Sequence, residues 1–205
     1  MYIFGAGGHG KAIIDLIVSE FGLTIEGIFD DNQKGDVMGY EISRLNTHNL
    51  SPNQDFHIAI GNNEVRKEIS TKLKVSYPTL VHPSSTVSKF SKLGKGTVVM
   101  PQSSIKAMTE IGKHCIVNAG AIIGHDVKIG DYVHIAPNSA VAGFVHIEEG
   151  VHIGLGASVI QGVKIGKWSI IGAGAVIIKD VPDHSVVVGN PGRVIKSVID
   201  HNTTP

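Results

Sequence analysis

A single cysteine, a single tryptophan and no net charge are the first things this 205-residue chain shows by absence. Cys115 alone excludes an internal disulfide, and a lone thiol suits a reducing cytoplasm. The 18 Lys and Arg are matched by 18 Asp and Glu. That balance leaves no electrostatic footprint for a nucleic-acid partner. No apolar run approaches the length of a membrane span. The start, MYIFGAGGHGK, lacks the basic region and long apolar core of a secretory signal, and reads instead as a first strand and its loop. Aromatic residues are 5% of the chain against 25 glycines, a balance that suits tightly wound backbone.

What is present is a beat of six. Every sixth residue from Val87 to Ile177 is Val, Leu or Ile, with no slip in register. That period fits neither an α-helix nor an alternating strand. It predicts a left-handed parallel β-helix of hexapeptide repeats, in which each hexad gives one short strand and one turn. Three hexads close a triangular coil, so this stretch predicts about five coils. Four places after the apolar residue come small or β-branched side chains, among them Thr97, Ser103, Cys115, Ala121 and Ala157. These are expected to fill a narrow prism, which makes Cys115 a buried structural thiol rather than a nucleophile.

Residues 1–80 have another rhythm. Short apolar strands at Tyr2–Phe4, 25–29 and 56–60 alternate with a helix bearing Ile13, Ile14, Ile17 and Val18 on one side, and with a charged helix over 64–74. This predicts a small Rossmann-like α/β domain. The expected organisation is therefore α/β followed by all-β: 1–80, then 81–195, then a flexible tail over 196–205 in which His201 to Pro205 are disordered.

Gly5, Gly7 and Gly10 satisfy G-x-G-x-x-G between a strand and a helix. Such a loop aims helix N–H groups at phosphates, and Asp30 or Asp31 at the next strand end can meet ribose hydroxyls. An NAD site needs two mononucleotide halves, and this domain is one. A sugar nucleotide fits one half, with Gly7, Gly8, His9, Asp30, Asp31 and Gly61 as its candidate contacts.

The GAGGHG loop, a strand ending in Asp30-Asp31, the AIGNN segment 59–63 and the uninterrupted hexapeptide region occur in that order. From Met1 to Ile195 the chain resembles bacterial sugar acetyltransferases of the sialic-acid O-acetyltransferase superfamily. Within it, the chain looks most like the N-acetyltransferases of UDP-linked 4-amino-4,6-dideoxy sugars. The resemblance implies a cytoplasmic homotrimer with active sites between subunits. It implies acetyl-CoA between adjacent β-helices, a nucleotide sugar on the N-terminal domain, and no metal. His125, in Gly124-His125-Asp126, falls on the family's general base, and Asp126 on the carboxylate that raises the basicity of that base. Relatives can carry Glu there, so the shorter Asp126 is expected to reach the ring less well. Asn118 matches a position near the sugar amine, His134 an acetyl-CoA contact, and Gly143 an oxyanion N–H. Leu155 and Ala173 match the pantetheine channel, and Arg193 is placed for CoA phosphates.

Other functions stay open on the sequence. The acceptor can be a hydroxyl, as in sialic acid O-acetylation, because one histidine base serves either nucleophile. A zinc lyase of the γ-carbonic anhydrase type needs three histidines converging across a subunit interface, for which His134, His146 and His152 can be offered. A non-catalytic nucleotide sensor needs only the glycine loop.

Overall fold

The computed structural model describes residues 1–46 and 50–198, in two compact units, Met1–Thr79 and Leu80 onward. The first unit runs β1 (Tyr2–Phe4), α1 (Gly8–Asp15), β2 (Gly27–Phe29), β3 (Asp36–Val37), β4 (Tyr40–Ser43), β5 (Phe56–Ile58) and α2 (Asn63–Lys72). The sheet order is β3-β4-β2-β1-β5. Strands β1, β2, β4 and β5 are parallel, and β3 turns back against β4 as a hairpin. The chain leaves β1 for β2 on one side and later adds β5 on the other. At such a switch of direction the carboxyl ends of the strands open a crevice.

Ile3 and Phe56 are fully buried, and Tyr2, Phe29 and Phe56 stack their rings at 5.0–6.1 Å. Ile13, Ile14 and Ile17 are buried as their spacing predicts, but Val18 is 42% exposed. The physical reason is a π-helical turn over Leu16–Glu20. Its wider winding puts Leu16 into the core and turns Val18 out of it.

In the second unit, two-residue strands recur every six residues from Thr86 to Ile177. Each pairs in parallel with the strand one coil away: Ile105 lies between Val87 and Ile123, and Ile135 between Val117 and Ile153. The pairs build stacks of six, five and eight strands, the three faces of a left-handed β-helix. On the five-strand face Val181 bridges in parallel to Ile165 and carries the winding past the last strand of that stack. Inside, Ile123, Ile147, Ile153, Ile165 and Ile171 are fully buried, with Ala121, Val127, Ala157 and Ala175 beside them. Buried hydroxyls are satisfied within the wall: Thr97 Oγ1 donates to the Gly112 carbonyl and Ser139 Oγ to that of Gly154. Cys115 is buried here, its thiol 3.1 Å from the Gly130 carbonyl.

Past the last repeat, Ser185–Val188 and Arg193–Ser197 pair antiparallel at the end of the eight-strand stack. Lys196 and Ser197 thus lie in a strand, and residues 199–205, including the expected disorder of 201–205, lie outside the described residues. No helix among the described residues is long and apolar enough to cross a membrane.

Candidate functional site

The crevice beside β1 is a cleft of about 510 Å³ lined by Gly7, Gly8, His9, Asp30, Asp31 and Gly61, with Leu45, Ile60, Val65 and Ile69 giving it an apolar wall. Two glycines shape the loop that forms its floor. Gly5 has φ +116°, and a Cβ there would meet the Ala59 carbonyl at 2.6 Å. A Cβ on Gly10 would collide with the Gly5 carbonyl. Gly7, Gly8 and Gly61 differ: a Cβ on any of them would meet nothing within 4 Å. Their bare backbone faces open cleft, as a ligand-cradling loop requires. No side chain caps the start of α1, which leaves its first N–H groups directed at this space.

Asp30 holds the loop. Its Oδ2 accepts from the Ala6 N–H at 2.8 Å, and its Oδ1 from Asn32 and Gln33 at 2.8 and 2.9 Å. Burial pushes this carboxyl up, but the three N–H bonds outweigh burial and hold it below the usual carboxylate value. Its oxygens are therefore engaged by protein, whereas the Asp31 side chain is exposed at the rim. Burial, with the nearby Arg66 charge adding to it, pushes the His9 imidazole down to about 4. His9 is neutral at pH 7, so it offers hydrogen bonds rather than positive charge to a phosphate.

Arg66 escapes a reading of the sequence. It sits on α2, whose charged face suggests solvent, yet it is 1% exposed. Its Nη1 donates to the Ile60 carbonyl at 2.8 Å and its Nη2 to Asn63 Oδ1 at 2.7 Å. It fixes the turn carrying Gly61. The signal within reach was Asn62, which caps α2 by accepting from the Val65 N–H at 3.0 Å.

In the β-helix, His125 and Asp126 meet at one corner. Nδ1 of His125 lies 2.8 Å from Asp126 Oδ2. The shorter carboxylate does reach the ring, because Asp126 takes a left-handed backbone conformation, φ +57°. An Nδ1–H donated to Asp126 leaves the lone pair on Nε2. That nitrogen lies over Gly143, one coil on: a Cβ there would be 2.8 Å from both Nε2 and Cε1. Among the described residues, nothing accepts from the Gly143 N–H. Phe144 follows, 61% exposed, with its ring at right angles to that of His125 and 5.0 Å away.

The other candidates lie elsewhere on the prism. Asn118 Nδ2 donates to His134 Nε2 at 3.2 Å, and His134 meets His152 edge to face at 4.9 Å, on the eight-strand face. Leu155 and Ala173 stack on an exposed corner one coil apart, and Arg193 is exposed, its guanidinium turned back onto the Gly192 carbonyl. Within one chain the His125 corner and the Leu155 corner are different edges. His146 lies on the five-strand face beside Lys128 and Lys164, so within one chain it does not converge with His134 and His152. Among the described residues no group of three or more His, Cys, Asp or Glu is arranged to hold a metal.

Comparison with known proteins reaches both units. Residues 1–73 match the PglD N-terminal domain, and residues 108–143 and 144–179 match the bacterial transferase hexapeptide (six repeats). The UDP-N-acetylbacillosamine N-acetyltransferase of Bacillus subtilis is 42% identical over 105 residues, which cover 46% of this chain and 48% of that protein, so the match spans about half of that curated relative. Among solved structures, PerB from Caulobacter crescentus, in complex with CoA and GDP-perosamine, is 34% identical, with a TM-score of 0.88 over 95% of this chain and 96% of that one. The acetyltransferase domain of PglB from Neisseria gonorrhoeae, in complex with acetyl coenzyme A, is 36% identical, with a TM-score of 0.86 over 95% of this chain and 98% of that one.

Proposed function

The chain belongs to the bacterial sugar N-acetyltransferases built from a PglD-type N-terminal domain and a hexapeptide β-helix, and from that premise we propose that it moves acetyl from acetyl-CoA to the 4-amino group of a nucleotide-linked 4-amino-4,6-dideoxy sugar. The nucleotide is UDP in the reading we favour, after the curated relative, and the product feeds bacterial glycan biosynthesis. Residues 1–80 hold the nucleotide sugar through Gly7, Gly8, His9, Asp31 and Gly61, with Asp30 holding the loop in shape. Residues 81–195 carry the donor and the chemistry.

The observation that supports this most is the corner where His125, Asp126 and Gly143 meet. Nε2 takes a proton from the sugar amine as its nitrogen attacks the thioester carbon. The C–N bond forms and the C–S bond breaks. The Gly143 N–H receives the negative charge that develops on the carbonyl oxygen. The proton then returns from Nε2 to the leaving thiolate. Asp126 keeps the ring in the tautomer this needs. Asn118 lies near the amine, and His134, Leu155, Ala173 and Arg193 line the donor channel. Because these residues and His125 lie on separate edges of one prism, the reading needs a homotrimer with sites between neighbouring copies. A lone reduced thiol suits a cytoplasmic enzyme.

The test is to offer the purified protein acetyl-CoA with UDP-, GDP- and dTDP-linked 4-amino sugars and measure released thiol. Turnover with at least one is expected. Turnover only with hydroxyl acceptors, such as sialic acid, would replace N- by O-acetylation, and none with either would end the reading.

A further inference from the structure

We propose that Gly143 and Phe144 form a seat that positions the His125 imidazole, so that both are positioning residues for acetyl transfer; this rests on the reading of His125 as the base. A histidine side chain that is 58% exposed, as His125 is, ordinarily samples several rotamers. Three contacts restrict this one. Asp126 Oδ2 takes Nδ1 at 2.8 Å. The bare Cα of Gly143 lets the ring lie across the next coil, where a methyl group would stand 2.8 Å from Cε1 and Nε2 and 3.2 Å from Nδ1. The Phe144 ring closes the third side, 5.0 Å away at 88°.

Phe144 occupies the turn position that takes positive φ in every hexad from Gly96 to Gly174, so its φ of +59° belongs to the coil, as it does at Met108, Tyr132 and Trp168. Its ring is 61% exposed and so buries little for the fold, but it makes an aromatic contact with the proposed base. An aromatic pair of this geometry favours one rotamer several-fold. The seat also accounts for the glycine itself. Gly143 has no positive φ, so its backbone would accept alanine, and the bar to a side chain is the imidazole.

The test is a double-mutant cycle with a spectroscopic readout. Gly143→Ala keeps the backbone N–H, so it leaves the proposed oxyanion donor in place and disturbs the ring alone. Its kcat should fall roughly tenfold to a hundredfold, the cost of displacing a base by about an ångström. The KM for both substrates should change by less than about twofold. In a His125→Ala background the same change should cost less than about twofold, since residues acting through one another are not additive. The NMR signals of the His125 ring should shift in Gly143→Ala and in Phe144→Leu. A wild-type kcat for Gly143→Ala, or an equal penalty with and without His125, would overturn the proposal. If Gly143→Ala does not fold, Phe144→Leu carries the same cycle, with a loss of about threefold that vanishes without His125. Failure of the acetyltransferase reading is distinguishable. It removes wild-type turnover, whereas the ring signals still report the seat.

Discussion

Asp30→Asn isolates one interaction in the first unit. Asn keeps an oxygen where Oδ1 accepts from Asn32 and Gln33, but sets an amide NH₂ against the Ala6 N–H, which Oδ2 accepts at 2.8 Å in the wild type. One charge-assisted hydrogen bond, worth about 1.5–3 kcal/mol, is lost, and two donors are left facing each other. The tie between the β2 end and the glycine loop goes with it. A loop no longer held in shape must be ordered by the ligand, so most of this cost should appear in binding. At 1.4 kcal/mol per tenfold, the nucleotide-sugar Kd should rise about tenfold to a hundredfold. Isothermal titration of wild type and variant with the sugar nucleotide measures this, with acetyl-CoA as the control ligand whose affinity should not move. The pH dependence gives an independent sign. Asp30 is held below the usual carboxylate value in the folded chain. Its contribution is present above the unfolded carboxylate value and fades as pH falls through the depressed one. The variant should therefore show a smaller loss of stability on acidification. Unchanged Kd together with an unchanged melting temperature would refute the role given to Asp30.

Four further outcomes are expected. His125→Ala should lower kcat by about 10²–10⁴ with acetyl-CoA affinity nearly intact, and Asp126→Asn should cost less; wild-type turnover in His125→Ala would sink the mechanism. His9, pushed to about 4 in the folded chain against 6.5 for a free imidazole, favours folding fully above pH 6.5 and progressively less down to pH 4. His9→Gln should therefore flatten the fall in melting temperature between pH 7 and pH 5, and parallel curves would count against it. Cys115→Ser should leave turnover near wild type, because the buried thiol lies inside the prism wall and away from the His125 corner. Light scattering should give the mass of a trimer, and a fully active monomer would remove the shared-site proposal.

What the sequence made legible follows from which constraints repeat. The β-helix repeats its inward position every six residues, so one slip would bury a wrong side chain, and the register from Val87 to Ile177 reads directly. The first unit has no such redundancy. The hairpin of β3 and β4 rests on two short strands and a turn in which Met38 and Gly39 both take positive φ, and only Gly39 advertises this. Composition cannot say which charge on α2 turns inward; Arg66 does because two carbonyls of the preceding turn, Ile60 and Gly61, need donors. The His125 corner was legible as a motif, but its geometry was not. The reach of Asp126 depends on the left-handed turn position it occupies, and Phe144 becomes the neighbour of His125 only across a coil, nineteen positions on. The same arithmetic separates the proposed base from the donor channel. His125 and Gly143 differ by a whole coil and share an edge. Leu155 and Ala173 also differ by a whole coil, but Leu155 stands twelve residues past Gly143, two hexads out of three, and so both lie on another edge. No rotamer change within one prism closes that gap, since the edges are fixed by a core packed with fully buried isoleucines. A site that uses both edges must therefore borrow one of them from a second copy.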